Sequence, residues 1–148
     1  METRPEEYYI ITEYTGSSED RDLYPAFSKH IAYCHQNQIY SPYSFGGLVR
    51  TDTDFSSKDY NYSHIYTKIE PEDVTNSVNI TVIPPRTYLS IYNTEGYDAA
   101  AELYMKLLEY AKNNDYATDK YFFEDVLLDD MSILGLDNYT LKLSLPIK

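Results

Sequence analysis

The chain has 148 residues, room for one domain with a real core but not for two independent ones, and its formal net charge of −12 is spread along the sequence instead of being gathered in a tail. That balance argues against a surface built for nucleic-acid phosphates or anionic membranes and mildly favours cations. Cys34 is the only cysteine, so an internal disulfide is excluded; no apolar run suits a signal peptide or a membrane span, and a soluble, cytoplasmic protein is expected. Tyrosine is over-represented, with 18 Tyr against 5 Phe and no Trp. Such rings favour strands, and their hydroxyl tips suit the walls of a cavity that receives aromatic or cationic molecules.

In chain order, EYYIITEYT over 7–15 reads as a strand ended by the Gly16-Ser17-Ser18 turn cluster. A helix over about 23–37 follows, with Leu23, Phe27, His30, Ile31 and Cys34 at helical spacing and Pro25 tolerable only within the first turn. SPYSFGGLV (41–49) is a second strand whose Gly46-Gly47 marks a bulge or a close approach by another backbone or a ligand. YSHIYTKI (62–69) is a third. The same order then repeats: a strand over 79–93 interrupted at Pro84-Pro85, a helix over about 98–112 burying Ala100, Leu103, Tyr104, Leu107, Leu108 and Ala111, and two more strands. The last, YTLKLSLPI, alternates, which predicts Leu141, Leu143 and Leu145 packed and Lys142 and Ser144 facing water. Two β-α-β-β units, over 7–76 and 77–148, imply an α+β domain with an antiparallel-rich sheet, two helices and a ligand cleft at the pseudo-twofold axis.

The strand KYFFEDVLL carries the most informative residue. Phe122, Glu124, Val126 and Leu128 share one face and Tyr121, Phe123 and Leu127 the other, so Glu124 is an acid in a strand that looks covered on both sides. An ionised carboxylate leaves water only when paired or protonated, and a cation is its natural visitor. A lysine, a tyrosine hydroxyl or backbone N–H groups of the same chain would satisfy it equally well. No dinucleotide, Walker, nucleophile-elbow or zincin motif is present, and neither a catalytic residue nor a cofactor is expected. His30 and Cys34 stand one helical turn apart without an evident third ligand, so no metal site is expected.

The IPPRTYLSIYN approach to the second helix, the helix YMKLLEYA, the aromatic-Glu-x-x-Leu pattern at Phe123 to Leu127 and the closing YTLKLSLPI, with FSKHI and YSHIYT in the first half, resemble the gyrase-inhibitor-like effector-binding domain. The likeness is greatest to the C-terminal multidrug-binding domain of MerR-family activators of the BmrR type, and it covers nearly the whole chain. It implies a small-molecule sensor in which Glu124 meets lipophilic, aromatic cations, with Tyr62, Tyr139, Phe27 and Val126 as pocket walls. Two further wall positions, aromatic in those regulators, fall here at Glu95 and Ala100. Such regulators carry an N-terminal DNA-binding domain, so this chain is expected to bind no nucleic acid itself and to be either their sensor half or a stand-alone relative. The resemblance leaves two other readings: a hydrolase of reactive small molecules using the buried acid, and a protein-binding module like the gyrase inhibitors.

Overall fold

Among the described residues every strand pair is antiparallel, and together these strands form one eight-stranded sheet. In the computed structural model, residues 1–17, 19–39, 45–57, 60–73, 80–94, 99–127 and 140–148 are described. The elements are β1 (Glu2–Arg4), β2 (Glu7–Glu13), α1 (Asp20–Gln36), β3 (Phe45–Arg50), β4 (His64–Ile69), β5 (Thr81–Ile83), β6 (Arg86–Asn93), α2 (Ala100–Asn113), β7 (Tyr121–Leu127) and β8 (Thr140–Ile147). The sheet order is β1-β6-β8-β7-β3-β4-β2-β5. The half made of β2, α1, β3 and β4 therefore joins the half made of β6, α2, β7 and β8 through the central β3–β7 pair, the α+β arrangement read from the sequence.

Two short arms close this sheet. β1 precedes the first half but pairs with β6 of the second, while β5 precedes the second half but pairs with β2 of the first. Only Pro5 and Glu6 link Arg4 to Glu7, so these residues are at most ~11 Å apart. In a flat sheet six strand spacings, ~29 Å, would separate β1 from β2. The sheet must curl. Tyr9 on β2 shows the same thing from within: its ring centroid lies 5.7 Å from that of Phe123, three strands away in the sheet order. Pro84 and Pro85 make the second two-residue crossing, where prolines have no N–H to leave unpaired.

The curl gives the sheet two covered faces. Against the outer one lie α1 and α2, whose buried Phe27, Tyr104 and Leu107 join Val49, Phe122, Val126, Leu141, Leu143 and Leu145 in the main core. The inner one gathers Tyr9, Leu48, Tyr66, Tyr88 and Phe123. This corrects the expectation for β8, since Ser144 is fully buried and accepts from the guanidinium of Arg4 at 2.7 Å. A polar alternating face stays in water only if nothing folds over it, and closure is a property of the whole sheet.

The helices depart from expectation at their ends and in the stripe of α2, where Leu103 and Leu108 are only half-buried and Ala101 is buried in addition. α1 starts at Asp20, which places Pro25 sixth in the helix and beyond its first turn, where it forgoes a bond to the carbonyl of Arg21. α2 ends at the expected Asn113-Asn114 pair. His30 is an ordinary buried helix-face residue, its ring nitrogens 2.9 Å and 2.8 Å from the hydroxyls of Thr12 and Thr67. Among the described residues, no helix is long and apolar enough to cross a membrane.

Candidate functional site

β7 is the inner strand of the second half, so what it carries sits at the junction of the two repeats. Glu124 pairs with Gly47 of β3 on one side and Leu143 of β8 on the other, and its side chain points to the helix-covered face with no exposed surface (0 %). Every direct partner described for its carboxylate is a phenol. The Tyr60 hydroxyl donates to Oε1 at 2.6 Å, the Tyr104 hydroxyl to the same oxygen at 2.8 Å, and the Tyr62 hydroxyl to Oε2.

Each phenol arrives by a different route. Tyr104 is the one polar-tipped residue in the buried stripe of α2, whose other members are Ala100, Ala101, Leu107 and Ala111. Its ring stacks on Phe55 at 4.9 Å and leans on Phe122 at 4.5 Å, which aims the hydroxyl at β7. Tyr60 and Tyr62 lie on the segment entering β4. Tyr62 reaches the carboxylate because it passes over Gly47: a Cβ on Gly47 would stand 2.3 Å from Cδ1 of that ring. Of the two roles open to Gly46-Gly47, a bulge or a close approach, the second is the one they fill, with β3 running in unbroken register beside β7 and β4.

Of the residues expected at the site, Glu124, Tyr62, Phe27 and Val126 come together. Phe27 meets Tyr62 edge-on with centroids 6.1 Å apart, and Val126 is buried in the same core. Ala100 is also buried there, at the start of α2. Tyr139 and Glu95 lie outside the described residues. Tyr60 and Tyr104 were not anticipated. A tyrosine in an otherwise apolar helical stripe must spend its hydroxyl somewhere, a sign that could have found Tyr104; Tyr60 has no comparable local signal.

Burial pushes the Glu124 carboxyl up from its ordinary range; the three phenol bonds act the other way but do not cancel it, and neighbouring Asp125 adds to the rise. Burial, and then the nearby Glu124, drive the Tyr104 phenol well above its usual value, so it remains a donor. For a carboxyl raised on folding, the native state binds the proton more tightly than the unfolded chain. Stability from Glu124 is therefore complete below the ordinary value of 4.5 and is lost as pH rises through the folded value. Urea midpoints from pH 4 to pH 8 should accordingly show the wild type losing ground to Glu124→Gln as pH rises from the ordinary value toward the folded one, with a gap that is flat on either side of that window; a gap moving the other way would contradict the burial effect.

Among the described residues, a cleft of about 530 Å³ opens on the other, inner face of the sheet and is lined by residues such as Arg4, Tyr9, Lys68, Asp125 and Lys142, not by Glu124. The rings of Tyr60, Tyr62 and Tyr104, among the described residues, stand directly against the Glu124 carboxylate. A visitor there must displace phenols, exchanging their bonds for its own.

A curled antiparallel sheet of two β-α-β-β halves, with a ring-enclosed carboxylate at their junction, defines a class of small-molecule-binding effector domains. The chain belongs to the family described as "GyrI-like small molecule binding domain", whose signature matches residues 1–148. It is 26% identical over 143 residues to the "Multidrug-efflux transporter 2 regulator" of Bacillus subtilis (strain 168), a match covering 97% of this chain and 51% of that protein. The chain thus spans about half the length of the curated relative it matches. Among solved structures it resembles the EcmrR C-terminal domain, with TM-score 0.66 and 12% identity over 99% of this chain and 94% of the other. A hydrolase encoded by lin2189 from Listeria innocua gives 0.64 and 13% over 99% and 89%. SAV2435 bound to tetraphenylphosphonium gives 0.53 and 13% over 99% and 92%. At such identities these structures establish a shared fold.

Proposed function

We propose that this domain is the sensor part of a cytoplasmic transcription regulator and binds lipophilic, aromatic cations without chemically changing them, Glu124 serving as counter-charge. In this reading residues 1–148 are one effector domain of two pseudo-repeats (7–76 and 77–148), and a DNA-binding domain belongs to the parent protein. Support for the regulator comes from the relative of twice this length, itself a regulator. The observation that carries the ligand class is the Glu124 carboxylate, buried and held only by described phenols. Phenol donors leave the charge uncompensated, so a cation adds a full Coulombic partner in a medium where such pairing is stronger than in water. Tyr62 and Phe27 supply faces for the aromatic part, with Val126, Tyr139 and Glu95 completing the wall. Lipophilic cations suit such a place because their spread charge is weakly hydrated and leaves water at small cost.

Since burial favours the neutral acid, a bound cation must expel its proton. Affinity for tetraphenylphosphonium, the ligand seen with SAV2435, is expected to rise with pH toward a limit of ~tenfold per pH unit below the folded value and then to level off. Equilibrium dialysis from pH 5 to pH 8 measures this, and a flat profile would remove Glu124 as the counter-charge. The hydrolase reading has its own support, because an acid kept protonated by burial is suited to proton transfer and two structural neighbours are described as hydrolases. Mass analysis of the ligand after long incubation separates the two: the sensor returns it intact.

A further inference from the structure

We propose that the inner face of the curled sheet holds a second small-molecule site, centred on Asp125 and selective for a short aliphatic diamine. β7 carries two adjacent carboxylates, and alternation sends them to opposite faces. They are built alike. Glu124 stands opposite Gly47 and receives the hydroxyl of Tyr62, whose ring crosses that glycine; Asp125 stands opposite Gly46 and receives the hydroxyl of Tyr66 at 2.6 Å, whose ring crosses Gly46. Tyr66 is itself fully buried, so this donor is fixed from behind. On its other side Asp125 lines the 530 Å³ cleft, a volume suited to a small molecule.

The charges of the cleft select the occupant. Its basic groups are already engaged by acids beside them: Arg4 and Lys142 meet Glu2 at 3.2 Å and 2.9 Å, and Lys68 meets Glu7. Asp125 has no basic group within ion-pair distance among the described residues, although Arg4, Lys142 and Lys68 act on its charge from further off; its direct bond there is to Tyr66. The lining holds five carboxylates, Glu2, Glu6, Glu7, Glu70 and Asp125, against those three cations, an excess of two negative charges. Glu6 is exposed, and Glu70 and Asp125 are both half-buried, but burial pushes the Asp125 carboxyl above its ordinary range, which marks it as the deeper of the two. A molecule with an ammonium group at each end of a short chain therefore meets one acid within the cleft and one at its mouth and neutralises the excess. A bulky lipophilic cation lacks that second charge and suits the ring-lined outer site instead. The inner site does not depend on the reading of Glu124.

The test is calorimetric titration of the wild-type chain at low salt with 1,4-diaminobutane, using 1,4-butanediol as the uncharged control, repeated with tetraphenylphosphonium present at saturation. The diamine should bind and the diol should not, and the phosphonium should leave diamine binding within threefold. Asp125→Asn should weaken the diamine at least tenfold and Glu70→Gln about threefold, with Glu70→Gln leaving phosphonium affinity within twofold. Equal binding of diamine and diol, wild-type affinity in Asp125→Asn, or mutual displacement of the two ligands would overturn the proposal. Should Asp125→Asn fail to fold, Glu70→Gln at the mouth decides the matter, unchanged diamine affinity there counting against the site. Failure of the phosphonium to bind would sink only the outer-site reading, and the diamine titration would stand on its own.

Discussion

Glutamine in place of Glu124 is expected to weaken tetraphenylphosphonium binding by roughly 30- to 100-fold while changing the affinity of a neutral analogue, triphenylphosphine oxide, by less than about threefold. The magnitude follows from removing one charge, since a charged partner in a partly desolvated site contributes about 2–3 kcal/mol and 1.4 kcal/mol corresponds to tenfold. Glutamine keeps the length and shape of the side chain, so Phe27, Tyr62 and Val126 retain their packing. Its carbonyl still accepts one or two phenol bonds, and its amide can donate to a phenol oxygen. The protein should therefore remain folded, which far-UV circular dichroism would establish before any titration. An equal drop in affinity for both compounds would mean that the substitution disturbed the walls rather than removed a charge.

The sequence displayed much of this arrangement because several of its signals are local. One acid in an apolar alternating strand marked Glu124, six positions at helical spacing marked α2, and adjacent glycines marked either a bulge or a close approach on β3. What stayed hidden depends on distant partners. β1 and β5 have three residues each, too few for a pattern, and they exist as strands because β6 and β2 offer edges roughly eighty positions away along the chain. Lys142 and Ser144 read as a solvent face because the closure that covers them is made by Arg4 and Glu2, at the far end of the sequence. The aromatic shell of Glu124 was half legible for a related reason. Tyr62 came from the resemblance, Tyr104 was visible only as part of a stripe, and Tyr60 reaches the carboxylate through the path of a loop.

Gly46→Ala is expected to cost about 3 kcal/mol or more, and Gly47→Ala about 1–2 kcal/mol, in urea unfolding at neutral pH. Alanine at either position restricts the unfolded chain and by itself stabilises by about 0.4–1 kcal/mol, so the sign is decided by what the new methyl meets. At Gly46 it would lie 2.2 Å from the backbone carbonyl oxygen of Glu124 and 2.6 Å from Cζ of Tyr66. A carbonyl in the central β3–β7 ladder cannot move without opening that ladder, and β3–β7 is the only described pair that joins the two halves within the sheet's middle. The clash therefore outweighs the entropic gain several times over. At Gly47 the methyl would meet the Tyr62 ring at 2.3 Å and 2.5 Å, close to its root, so relief requires the ring to leave the strand. That movement withdraws the Tyr62 hydroxyl from Glu124 and leaves Tyr60 and Tyr104 as donors, which lets burial raise the carboxyl further. Gly47→Ala should consequently bind tetraphenylphosphonium with a pH profile shifted toward higher pH, a change that reduced stability alone would not produce. A Gly46→Ala protein within about 0.5 kcal/mol of wild type would show that β3 and β7 can separate freely, and the pairing of the two carboxylates with their tyrosines across these strands would have no structural basis.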